Sequence, residues 1–210
     1  MVEVKMRTKL LLSFLIFILS LKSFALLEIG ADFSYDRNIF GSDRQSKHTS
    51  RTWRGSIAAY LWKNTALEIN YNDSEDETIV RDTVEYPDLN VSILGQQTTI
   101  ATKTYGVGLR QAFASRKSLI QPSISLGYAK SFKTTTSDYT IRDDAGGAVS
   151  TSVQAPVKSR RDSMFGTFSL KLRLSKRLGI RGSIQTYINA FDWNGAKDDL
   201  RYTVGLTWLL

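Results

Sequence analysis

Lys47-His48-Thr49-Ser50 sets an imidazole base and a hydroxyl nucleophile two residues apart. In an extended segment such positions share a face. The imidazole there could take the hydroxyl proton, as in a base-activated nucleophile, but no acid beside it is marked as the orienting third group. His48 is the only histidine and the chain has no cysteine. Sites built on two imidazoles, thiolate zinc sites and thiol nucleophiles are thereby excluded. The ionic residues Glu28, Asp32, Arg54, Glu68, Arg110, Lys171, Arg173, Arg181 and Arg201 form a second set, each embedded among apolar neighbours. Asp73, Glu75, Asp76, Glu77, Asp82, Glu85 and Asp88 form an acidic run whose spacing matches no calcium loop, so no metal site is expected. Lys158, Arg160 and Arg161 form a basic cluster able to hold phosphate groups by charge-assisted hydrogen bonds.

The chain that must position these groups has 210 residues, 42% hydrophobic and 23% charged, which fits one domain with a substantial apolar surface to place. Its net charge of +8 permits nucleic acid, anionic lipid or acidic polymers as partners. The N-terminus narrows that choice. Lys5, Arg7 and Lys9 precede an apolar run from Leu10 to Leu21, and Ser23 and Ala25 supply small side chains at the −3 and −1 positions. This three-part pattern predicts a secretory leader over residues 1–25, cleaved to leave 26–210. The run is too short for a membrane-spanning helix, which needs about 20 apolar residues. Export removes nucleic acid from the expected partners.

After Leu27 no long apolar run appears; apolar and polar residues alternate instead, in segments of about ten residues, the spacing of a transmembrane barrel strand. The segments are Leu27–Asp36, Trp53–Trp62, Ala66–Asn72, Lys103–Ala114, Leu119–Phe132, Met164–Ser175, Leu178–Asn189 and Asp199–Leu210. In the sixth, Phe168, Leu170, Leu172 and Leu174 oppose Thr167, Ser169, Lys171 and Arg173. Short links near Lys63–Thr65, Ser115–Ser118 and Lys176–Arg177 alternate with long ones at Arg37–Thr52, Asp73–Thr102, Lys133–Ser163 and Ala190–Asp198. Outer-membrane barrels combine an even strand number with short turns on one side and long loops on the other. A soluble barrel would instead turn the apolar set inward and the ionic set out to water, and the alternation of short and long links speaks for the lipid-facing arrangement. Tyr35, Trp53, Tyr71, Tyr105, Tyr128, Tyr202 and Trp208 also fall near the ends of the apolar face, where an interfacial girdle belongs. The expected fold is therefore an all-β, eight-stranded antiparallel up-and-down transmembrane barrel. The apolar face looks at lipid, and the ionic set fills the lumen with Glu28 and Glu68 pairing some of its cations.

The last segment ends Thr203-Val204-Gly205-Leu206-Thr207-Trp208-Leu209-Leu210. Thr203, Gly205, Trp208 and Leu210 resemble the closing-strand signal read by the outer-membrane barrel assembly machinery, although that signal more often ends in Phe. In pattern and length, residues 26–210 resemble the small eight-stranded outer-membrane proteins of the OmpA-transmembrane-domain and OmpX type. The resemblance implies the outer membrane of a diderm bacterium, a monomer, no cofactor, and contact with outer-membrane lipids and lipopolysaccharide, here through Lys158, Arg160 and Arg161. It implies a non-enzymatic structural or surface-interaction role. Two other readings stay open: a narrow ion-conducting channel gated by the lumen charges, and a lipid-modifying enzyme. The His48/Ser50 pair resembles an outer-membrane lipid A deacylase only in its two residue types.

Overall fold

The computed structural model describes residues 26–41, 44–189 and 200–210. The expected leader and the link Ala190–Asp198 lie outside the described residues. The strands are β1 (Leu27–Phe40), β2 (Ser46–Tyr60), β3 (Thr65–Val80), β4 (Val84–Tyr86), β5 (Val91–Ala112), β6 (Ile120–Asp143), β7 (Val149–Val153), β8 (Val157–Arg173), β9 (Leu178–Asn189) and β10 (Arg201–Leu209). Eight of them close a barrel: each pairs antiparallel with its neighbour in the chain, β5 with β6 included, and β10 returns to β1. β4 and β7 are short additions to β5 and β6.

Each of the eight alternating segments coincides with a barrel strand, five of them overrunning it by one or two residues at an end, but towards the long links the strands run further than the alternation does. The links expected at Arg37–Thr52, Asp73–Thr102 and Lys133–Ser163 are mostly strand: β1 continues to Phe40, β3 to Val80 and β6 to Asp143. A transmembrane strand needs only about 9–11 residues. At 22 and 24 residues, β5 and β6 stand far beyond that length. Outside the membrane water wets both faces, so no apolar face is needed and the alternation fades while the hydrogen-bond ladder persists. At one tip Asp144 accepts from the Ser92 hydroxyl at 2.5 Å and from Arg142 at 2.8 Å, and these bonds hold its carboxyl below the usual carboxylate range.

Within the membrane-length part the alternation has a single meaning. Among the described residues, 24 polar or charged side chains are buried against six apolar ones, the inverse of a soluble core. Leu170, Val107, Leu126 and Val204 are about half exposed on the outer wall. Aromatic rings ring that wall in contact with one another: Phe33 with Trp53 at 4.5 Å, Tyr71 with Tyr105 at 5.2 Å, and Tyr105 with Phe132 at 6.2 Å. Hydrocarbon is the solvent that matches such a wall. Nitroxide labels at Leu170 and Arg173 should separate the two faces. In lipid vesicles the Leu170 label is expected to relax with oxygen, and the Arg173 label with a water-soluble nickel chelate. The opposite accessibilities would overturn the orientation.

Candidate functional site: the charged lumen

The inner face is fixed by parity. Even-numbered residues of β1, β2, β3 and the membrane part of β5 point inward, as do odd-numbered ones of β6, β8, β9 and β10. Parity therefore delivers Glu28, Asp32, Arg54, Glu68, Arg110, Lys171 and Arg181 to one enclosed space.

They form an alternating chain of charge across it. Lys171 Nζ donates to Glu28 Oε2 at 2.6 Å, and Arg110 Nη1 donates to Glu28 Oε1 at 2.7 Å. Arg110 also grips Glu68 with two parallel bonds, Nε to Oε2 at 3.0 Å and Nη2 to Oε1 at 2.8 Å. Arg54 reaches Glu68 at 3.4 Å and lies 4.0 Å from Asp32. Asp32 in turn takes two bonds from Arg181, from Nε at 3.1 Å and from Nη2. Neutral donors fill remaining lone pairs: the Ser125 hydroxyl on Glu68 at 2.6 Å and the Tyr60 hydroxyl on Glu28 at 3.3 Å. Three carboxylates thus hold four cations. Buried ions are tolerated when paired and hydrogen-bonded in this way. Arg54 is the loosest member, since its Nε and Nη1 have no hydrogen-bond partner among the described residues.

Arg181 meets Asp32 because tilted strands bring residues of unequal height together, and two members of the expected lumen set stand outside this chain of charge. Arg173 pairs with no carboxylate among the described residues; it lies at the short-turn rim, 3.5 Å from the Arg116 carbonyl, where the Arg116 guanidinium also stacks on Tyr60 at 4.3 Å. Arg201 stands at the other end, 3.9 Å from Asp76.

The basic cluster is split by the same parity. Lys158 and Arg160 face outward, Arg160 over the Phe132 ring at 5.9 Å, whereas Arg161 faces inward and lines a cavity. His48 and Ser50 lie on β2, not in a loop, both on its inner face. His48 Nδ1 is 2.9 Å from the Thr78 hydroxyl, and Ser50 donates to Asp76 at 2.5 Å. The serine proton therefore points at a carboxylate and not at the imidazole, the wrong connectivity for a base-activated nucleophile.

Phe165 was not marked by the sequence analysis. Its ring is buried in the lumen, over the backbone contact between Gly108 and Gly127, where a Cβ on Gly127 would stand 2.6 Å from the ring. Its odd number on β8 was the available signal.

At the seam β10 runs antiparallel to β1, with Ala31 opposite Leu206 and Asp32 opposite Gly205. Thr203 and Gly205 face inward; Trp208 and Leu210 are exposed on the outside.

The sequence matches no protein-family model and no curated protein. The structure does have counterparts. It superposes on the outer membrane protein OprG of Pseudomonas aeruginosa with a TM-score of 0.54, covering 89% of this chain and 96% of that one at 12% identity. For the N-terminal β-barrel domain of Pseudomonas aeruginosa OprF the TM-score is 0.52, with coverage of 89% and 98%, also at 12% identity. The chain has the fold of the small eight-stranded outer-membrane barrels. At that level of identity the likeness is one of fold.

Proposed function

We propose that this chain is a non-enzymatic outer-membrane barrel of a diderm bacterium, sealed to ions, whose extended hairpins serve a structural or surface-interaction role. The observation that carries the reading is the lumen. The side chains from Lys171 through Arg110 and Arg54 to Arg181 cross it in one chain of ion pairs, and an eight-stranded barrel is only wide enough for side chains to fill. The outer wall supports the partners. Lys103, Lys130, Lys158 and Arg160 stand outward around the aromatic belt, at the level of lipid headgroups, where phosphates of lipopolysaccharide would meet them. The terminal strand with Thr203, Gly205, Trp208 and Leu210 would be the segment handed to the assembly machinery.

Planar-bilayer recording of the refolded protein tests the seal. Electrical silence is the expected result, and it should persist when the voltage sign is reversed. Discrete openings of the wild-type barrel would replace this reading with the channel, and acyl chains released from lipopolysaccharide would replace it with the enzyme.

A further inference from the structure

Beyond the sealing layer, towards the long hairpins, the lumen opens into a cavity of about 260 Å³. Six strands contribute to its wall, β3, β5, β6, β8, β9 and β10, so it belongs to the rigid barrel and not to one loop. Its charged groups are Lys133, Arg161, Arg201 and a single carboxylate, Asp76. Asp76 is already engaged, by the Ser50 hydroxyl at 2.5 Å and by Arg201 Nη2 at 3.9 Å. Lys133 and Arg161 have no carboxylate within ion-pair distance among the described residues. The floor does not correct the imbalance, since it holds four cations against three carboxylates.

Lys133 and Arg161 stand exposed and Arg201 half-buried along this opening, so a surplus of cations raises its positive potential and attracts counter-ions. The wall also offers directed donors. Ser163 is 4% exposed, and its hydroxyl has no hydrogen-bond partner among the described residues. Arg201 leans on Asp76 through Nη2 and leaves its buried Nη1 without a partner. Two guanidiniums, an ammonium and a hydroxyl are the donor set that suits a tetrahedral oxyanion, because guanidinium forks match its oxygens in pairs. At about 260 Å³ the space suits a small ligand, and a wider opening of about 610 Å³, lined also by Asp36 and His48, adjoins it at Asp76 and Arg201.

We infer that this cavity is a binding site for a small, multiply charged oxyanion of the phosphate or sulfate class, held by Arg161, Arg201 and Lys133. The ligand enters from the hairpin side, because the ion chain closes the other. Asp76 serves two ends: it positions Arg201, and it repels an anion that would displace that pair. The site is separate from the lipid-facing cations, since Lys158 and Arg160 lie on the opposite face of β8.

Inorganic pyrophosphate is the probe. Titration calorimetry on the refolded full-length protein, in zwitterionic detergent at low ionic strength, should show saturable one-to-one binding. Each arginine contributes a charge-assisted contact worth about tenfold in affinity, so Arg161→Gln with Arg201→Gln should weaken binding by about 100-fold. Lys158→Gln with Arg160→Gln should leave it unchanged. Heat-modifiable gel mobility reports whether each variant folds. If the lumen variant does not, phenylglyoxal modification of the wild-type protein decides. Pyrophosphate should shield Arg161 and Arg201 in peptide mass maps and leave Arg160 reactive. Micelles of phosphorylated lipid, added in place of pyrophosphate, should shield Arg160 alone; shielding of Arg161 by these micelles would make the ligand a lipid headgroup and overturn the site. Absence of saturable binding would also overturn it, as would affinity lost with Lys158 and Arg160 but kept without Arg161 and Arg201.

Discussion

Arg110→Ala should be the most damaging single change in the lumen. Among the described residues Arg110 alone hydrogen-bonds two carboxylates, with two bonds to Glu68 and one to Glu28. Removing it leaves Glu68 with the distant Arg54 at 3.4 Å and Glu28 with Lys171 alone among cations. Breaking a buried pair by deleting one partner costs about 3–5 kcal/mol, because the remaining charge stays out of water. The urea midpoint of the refolded barrel should fall accordingly, and the heat-modifiable band should weaken. The decisive comparison is the variant Glu28→Gln, Glu68→Gln, Arg54→Met, Arg110→Met, Lys171→Met. It removes the two carboxylates together with every cation that pairs with them and leaves the Asp32–Arg181 pair intact, and replacing such a buried ionic set as a whole is often neutral or better. Stability should return towards wild type. If Arg110→Ala alone leaves the midpoint unmoved, the lumen is hydrated enough to screen its charges and the sealing layer is not what closes the barrel. Arg54→Ala should cost less, since Arg54 makes only one hydrogen bond in the chain of charge.

Whether a residue faces inward or outward was readable from sequence because the solvent differs on the two sides of the wall. Lipid outside and ions inside force a period of two, and one residue of slip would turn every ionic side chain into hydrocarbon. Leu170 and Lys171 carry that signal as neighbours. Where water lies on both sides the signal disappears. The stretch Asp73 to Val80 completes β3 and Thr134 to Asp143 completes β6, yet neither has an apolar face, so sequence offered only a polar link. The basic cluster could have been resolved: extending the parity of Lys171 and Ser169 back along β8 turns Arg161 inward and leaves Lys158 and Arg160 outside.

Pairing within the lumen was legible only in kind. Sequence indicated that acids and bases would share the interior, but partners such as Asp32 and Arg181 are 149 residues apart and meet over the intervening β10 at Gly205. Their meeting is set by strand tilt and stagger, which no local pattern encodes. For the same reason the Ser50 hydroxyl found its acid on β3, at Asp76, in a run that by sequence was simply acidic surface.

Gly205→Val should keep the barrel from closing. β1 and β10 meet over the short ladder from Glu28–Leu209 to Phe33–Val204, and Gly205 lies within it. A Cβ there would stand 2.1 Å from the Ala31 carbonyl oxygen and 2.5 Å from the Asp32 Cα. Both are backbone atoms of the partner strand, so relief requires the strands to part. Overpacking costs about 1–3 kcal/mol where side chains can yield and more where backbone must move. The same Cβ meets the Asp32 carboxylate at 2.5 Å and so disturbs its bonds from Arg181. Parting the seam would expose two strand edges to aggregation. In refolding trials the variant should give little heat-modifiable species, and Gly205→Ala should fall between it and wild type. Gly182→Ala is the control, because a Cβ at Gly182, on the adjoining strand, meets nothing within 4 Å. A Gly205→Val barrel with wild-type urea midpoint would mean that β1 and β10 do not approach as described. Equal damage from Gly182→Ala would trace the effect to glycine's backbone freedom and away from the seam.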